Sequence, residues 1–106
     1  MAAFLVEFTY TEQGLKGLVR EGGTKRREAT EQLVKSLGGR LVAYYFSFGS
    51  YDGFAIIDGL ENADATAAAL IVGASGAVRT RTTVLLTPEE VDIATKKSGI
   101  YRAPGH

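Results

Sequence analysis

Apolar and polar positions alternate at the start of the chain. Phe4, Val6, Phe8 and Tyr10 fall on one side of an extended backbone and Ala3, Leu5, Glu7 and Thr9 on the other, which is the period-two signature of a strand. From residue 11 the period becomes helical. Leu15, Leu18 and Val19 recur behind Thr11 as a cap, but Gly14 and Gly17 each weaken a helix by about 1 kcal/mol relative to alanine. Residues 11–21 therefore predict a short, soft helical turn ended by Gly22-Gly23. Thr24 then caps a firmer helix to about Ser36, with Ala29, Leu33, Val34 and Leu37 as its apolar stripe. Lys25, Arg26, Arg27, Glu28, Glu31 and Lys35 mostly face water on this reading, and Gly38-Gly39 supplies the stop.

Residues 40–48, RLVAYYFSF, predict a second strand, and residues 53–58, GFAIID, are too short and apolar for a helix and predict a third. The connection between them has glycine at both ends, the length and chemistry of a hairpin, so these strands pair antiparallel. Asn62 caps a further helix to about Val72, with Ala63, Ala67, Leu70 and Ile71 on one stripe. Residues 77–86 predict a fourth strand, with Val78, Thr80, Thr82, Val84 and Leu86 on one face and Arg79, Arg81, Thr83 and Leu85 on the other. Thr87-Pro88-Glu89-Glu90 then reads as a capping box with proline at the first helical position, opening a short helix to about Lys97. Residues 99–106 read as an irregular tail to a single domain of residues 1–98.

Strand, helix, strand, strand, helix, strand is the split βαβ order of the α+β, ferredoxin-like βαββαβ fold. Right-handed crossovers place strands one and three at the centre of a four-stranded antiparallel sheet with the helices on one face. With Phe4, Val6 and Phe8 towards the helices, Glu7 points the other way. A helix-covered face does not accept two unpaired guanidinium groups, so Arg79 and Arg81 join Glu7 on the bare face. A mixed apolar and charged sheet face of this size calls for a partner. A second copy packed by a two-fold axis is the economical one, and the expected state is a homodimer or higher oligomer.

Composition narrows the chemistry. Twelve basic residues balance twelve acidic ones, which removes the field that a general nucleic-acid binder relies on. The run KRRE at residues 25–28 then reads as a solvated helix face. There is no cysteine, and the one histidine is His106, at the end. Disulfides and thiolate sites are excluded, a histidine-based triad is disfavoured, and neither a metal nor a cofactor is expected. No stretch has the pattern of a signal peptide or the length of a membrane span, so the expected location is cytoplasmic, with no membrane or nucleic-acid partner.

Two places carry candidate chemistry. Tyr51-Asp52 sits in the turn Gly49-Ser50-Tyr51-Asp52-Gly53, where an aspartate accepts bonds from turn amides or, at a cavity mouth, orients a ligand or serves as a base with Tyr51 as donor. Arg79 and Arg81 point the same way along a strand. They either pair with Glu7 or across a dimer interface, or grip an anionic group at two points. Tyr44 and Tyr45 face opposite sides, so only one of them can line the cavity, and core packing is the expected role for either. The glycines at 14, 17, 22 and 23 lack the lysine of a phosphate loop but could make residues 11–23 a mobile flap.

YTEQG after the first strand, SLGG before the second, the turn GSYD followed by GFAII, and GAVRTRTTVLLTPEE together resemble the GYD domain family of small bacterial and archaeal proteins, over roughly residues 3–92. The resemblance implies a dimeric α+β barrel, two ferredoxin-like sheets packed face to face, and no particular reaction. Gly53 departs from the family pattern, where a larger residue is expected, and is expected to loosen the start of the third strand. The reading is a homodimeric module that binds a small molecule, anionic if an arginine grips it, in a cavity by the sheet, with Tyr51, Asp52, Arg79, Arg81 and Glu7 as candidate ligand-binding residues. The alternatives are a cofactor-independent oxygenase or isomerase of the dimeric α+β barrel type and a module that only dimerises.

Overall fold

A computed structural model describes residues 2–106. The elements run β1 (Ala2–Tyr10), α1 (Glu12–Glu21), α2 (Gly23–Ser36), β2 (Arg40–Phe46), β3 (Gly53–Leu60), α3 (Asn62–Ala74), β4 (Val78–Leu85) and α4 (Pro88–Thr95). The strands form one antiparallel sheet in the order β2-β3-β1-β4, with β1 and β3 central. This is the ferredoxin-like arrangement expected from the chain.

The alternation along β1 sorts the two faces. Phe4, Phe8 and Tyr10 are buried. Phe4 packs with Val34 of α2, Ile57 and Leu60 of β3 and Ala65 of α3, while Phe8 and Tyr10 pack with Val78, Tyr44, Phe46, Leu18 and Val72. Three helices thus cover the even-numbered side of β1. Each buried phenylalanine contributes about 1.5–3 kcal/mol through the apolar surface it removes from water.

Local chemistry fixes the elements, with several corrections to the sequence reading. The soft turn over residues 11–21 is a ten-residue helix. The Thr11 side chain accepts from the Gly14 amide at 3.2 Å and its hydroxyl donates to the Gly76 carbonyl at 2.9 Å, so the helix start is pinned from two directions. The second helix begins at Gly23, behind Gly22 in the left-handed region (φ 83°), and Thr24 is not its cap. α3 is capped by Glu61, which shares a capping box with Asp64, one residue before the expected Asn62. The Thr87–Glu90 capping box and Pro88 at the head of α4 stand as read, and that helix ends at Thr95.

Two apolar stripes are rotated from expectation. In α2 Ala29 is exposed, and the inward side carries Arg26, Thr30, Leu33 and Val34. In α3 Leu70 and Ile71 are exposed, and Ala65, Ala68, Ala69 and Val72 face the sheet. Gly53 does not loosen β3. It is buried, and any side chain there would run into the Phe8 ring and the Tyr45 carbonyl. The missing Cβ is what lets the Phe8 ring lie against the strand.

Candidate functional site

The backbone register places the sequence candidates. On the face opposite the helices, Glu7 of β1 pairs with Arg81 of β4 and with Phe54 of β3, while Thr9 pairs with Arg79. Leu5 pairs with Ile56 and Thr83, and Tyr45 of β2 pairs with Phe54, their rings 5.6 Å apart. Glu7, Arg79 and Arg81 therefore share the uncovered face with Leu5, Phe54 and Ile56.

The β2–β3 loop reaches over the end of that face. Arg81 Nη1 donates to the Tyr51 hydroxyl at 3.1 Å. That bond, with the carboxylate of Glu7 beside it, holds the Arg81 guanidinium above its ordinary pKa. Tyr51, Arg81 and Glu7 are thus brought together. Arg79 lies one step further along β4 at the same face.

Asp52 is turned elsewhere. Its Oδ2 accepts from the Tyr10 amide at 2.8 Å, and its own amide donates to the Phe8 carbonyl at 2.9 Å. Its carbonyl accepts from the Ser47 amide at 2.9 Å, which closes the hairpin. The carboxylate stands in for a strand carbonyl where β1 runs past the end of β3 and ties the turn to the central strand.

A second polar group lies inside, and the sequence reading did not assemble it. Between the sheet and α2 and α3 is a cavity of about 80 Å³, whose apolar walls include Val6, Phe8, Ile57 and Ala68. Its polar groups are Tyr10, Arg26, Thr30 and Tyr44, with Thr80 and Thr82 on β4. A wider recess of about 390 Å³ beside α1 shares Tyr10, Arg26, Val72 and Val78 with it, so the two spaces meet at Arg26.

Arg26 Nη1 donates to Glu21 at 3.2 Å. Its Nε is buried and has no hydrogen-bond partner, alone in this among the buried side-chain nitrogens and oxygens of the described residues. Burial works against its charge, but the contacts with Glu21 and Tyr10 outweigh it and hold the group above its ordinary pKa. Burial also raises the Tyr44 phenol, aided by the Tyr10 hydroxyl and opposed by Thr30 and Arg26. The Thr30 hydroxyl donates to the Arg26 carbonyl at 3.0 Å. The cluster presents a guanidinium and two phenol groups, with burial holding Tyr44 in its protonated form, around a largely apolar pocket, which suits gripping an acceptor.

These residues left faint marks in the sequence. Tyr10 belongs to the inward set of β1, and Tyr44 shares the inward side of β2 with Phe46, the two rings 5.4 Å apart. Arg26 is one turn before Thr30 and two turns before Leu33, so it continues the inward stripe of α2. Its place in KRRE hid it, because a basic run reads as solvent-facing.

A four-stranded sheet with one face under helices, the other open and a polar pocket between layers defines a ferredoxin-like α+β domain. The chain belongs to the GYD domain family, whose model matches residues 4–94. It is 30% identical over 82 residues to a Thermus thermophilus protein named glutamine synthetase and cystathionine beta-lyase binding protein, an alignment covering 77% of this chain and 85% of the relative. No solved structure matches the chain. Among the described residues, no helix is long and apolar enough to cross a membrane and no cluster of three or more His, Cys, Asp or Glu is placed to hold a metal ion.

Proposed function

We propose that this GYD-domain protein is a homodimeric binding module of the cytoplasm, in which two copies pack open face to open face and each keeps the cavity under its helices for a small molecule. The open face carries the reading. It presents Leu5, Ile56 and Phe54 on the central strands, with Glu7 and Arg81 adjacent in the ladder. Opposite charges side by side allow the middle of such a face to be buried with Glu7 and Arg81 matched, while Arg79, opposite Thr9 towards the end of the ladder, lies nearer the rim.

Its size is adequate. Strands of about eight residues at roughly 3.3 Å each, four abreast at about 4.8 Å, span on the order of 500 Å² per copy, so two copies reach the roughly 1,000 Å² of a specific interface. On this reading Glu7, Arg79, Arg81 and Tyr51 serve the interface and its rim, Asp52 serves its own turn, and the small-molecule site belongs to the interior cluster. The Thermus relative is named for binding two enzymes, which supports protein partners for the dimer as well.

The test is the oligomeric state. Ile56 faces Leu5 and Ala43 across the middle of the open face, so Ile56→Glu places two unpaired carboxylates at the two-fold centre. Light scattering coupled to size exclusion is expected to give twice the 11.3 kDa chain mass for the parent and a single chain mass for Ile56→Glu, with unchanged far-ultraviolet dichroism. A parent that runs at one chain mass at tens of micromolar, or a variant that stays dimeric, overturns the reading.

A further inference from the structure

We infer that the cavity under the helices binds a short-chain monocarboxylate, its apolar body among the α3 alanines and Ile57 and its carboxylate on Arg26 at the mouth. This rests on the small-molecule part of the reading above and names the ligand's chemistry.

The count of donors and acceptors points to an anion. The Arg26 guanidinium is engaged by Glu21 and by the Tyr10 phenol oxygen, while its buried Nε has no acceptor. Leaving a buried donor unpaired is unfavourable, and an acceptor at that point is gained at little cost to the rest of the site. Tyr44 and Tyr10 stand beside it, hydrogen-bonded to one another and so sharing their protons, and burial holds Tyr44 in its donor form. The Thr30 hydroxyl already gives its proton to the Arg26 carbonyl. A pocket with a guanidinium edge and two phenols, whose one nearby carboxylate, Glu21 at the mouth, is already bound to Arg26 Nη1, leaves the Nε side for an acceptor-only group. A planar carboxylate matches the guanidinium fork.

The dimensions limit the rest of the ligand. About 80 Å³ behind Arg26, walled by Val6, Phe8, Ala55, Ile57, Ala65 and Ala68, accepts a few carbons and rejects a second charge. The recess of about 390 Å³ on the outer side of Arg26 supplies the route in, so the carboxylate enters last and stays near the mouth. The ligand is then a compact aliphatic acid with one charged end.

The experiment uses the full-length protein with 3-methylbutanoate and its uncharged isostere 3-methylbutanamide as probes, followed by carbon-13 methyl shifts of Ala65, Ala68, Val72 and Val78. The acid is expected to saturate these shifts and to bind roughly tenfold or more tightly than the amide, the ratio that one charge-assisted bond supplies. Arg26→Lys is expected to keep part of that preference, and Arg26→Met to abolish it. Tyr44→Phe, which keeps the ring packing, is expected to weaken the acid severalfold, so the inference does not depend on the Arg26 variants folding. Ala68→Leu, which fills the cavity, is expected to block both probes. Equal affinity for acid and amide overturns the carboxylate while leaving the small-molecule site standing. Absence of any cavity shift at tens of millimolar overturns both, and shifts confined to the Leu18, Ile71 and Ala77 methyls, which line only the recess, reveal only an adventitious anion there.

Discussion

Tyr10 lies two positions beyond the last β1–β3 pair, Phe8 with Gly53, so its amide meets a loop where a strand would have offered a carbonyl. Asp52 Oδ2 fills that place at 2.8 Å. A hydrogen bond to a charged acceptor contributes about 1.5–3 kcal/mol, and the partial exposure of Asp52 discounts it. Asp52→Ala is therefore expected to lower the unfolding free energy by about 1–2 kcal/mol, measured by urea titration. Asp52→Asn keeps an amide oxygen and is expected to lose about half of that. A loss under about 0.5 kcal/mol for the alanine variant would mean the carboxylate is not needed by the fold and would return Asp52 to ligand duty. The aspartate and its flanking glycines were legible as a hairpin turn. Its bond to Tyr10, 42 residues away in the chain, was not, because nothing local records where a neighbouring strand ends.

At the scale of elements, α1 contains two glycines with opposite meanings. Both lower helix propensity equally, which is why residues 11–21 read as a weak turn. In the fold, Gly14 is buried and a Cβ there would overlap the Ala77 carbonyl, whereas Gly17 has nothing nearer to that position than an Arg20 guanidinium nitrogen at 3.9 Å. Gly14→Ala is thus expected to destabilise by about 2 kcal/mol despite its propensity gain, because backbone carbonyls do not yield as side chains do. Gly17→Ala is expected to stabilise by about 0.5–1 kcal/mol. Thermal unfolding of the two single variants gives the signs, and changes in the same direction would show that the close approach of α1 to Ala77 does not govern this helix. Strand faces were legible along β1 and β4, since a period of two leaves only two choices and Phe4, Phe8 and Glu7 decide between them, but register shifts in the pairing of β2 and β3 bring Leu41 with Tyr44, and Ile57 with Leu60, to the same side. Helix faces were less so. α3 carries Ala63, Ala65, Ala67, Ala68 and Ala69 with Leu70, Ile71 and Val72, and a helix that is apolar nearly all round does not announce its buried side. Arg26 shows the other failure, because a long side chain can lay its stem along an apolar wall while its residue type suggests water.

The whole molecule is longer than its length in residues implies. A compact chain of 106 residues has a radius of gyration of about 13 Å, whereas this one has 16.9 Å, with extents of 57 by 33 by 22 Å. The excess comes from an arm. No residue of α4 is buried, and Val91, Ile93, Ile100 and Tyr101 are all exposed beyond the last strand. A helix with no buried residue adds little to the stability of the body. A chain ending at Leu86 is accordingly expected to keep the urea-unfolding free energy of the full chain within about 0.5 kcal/mol at matched concentration, and small-angle scattering of its monomeric Ile56→Glu form should give a radius near roughly 12 Å. A loss that grows as the protein is diluted would instead place the arm against the second copy, because only a contact between chains weakens with dilution. A concentration-independent loss above about 2 kcal/mol would mean that α4 folds back on its own body, and the four apolar side chains of the arm would then belong to the core that the sheet and three helices otherwise complete.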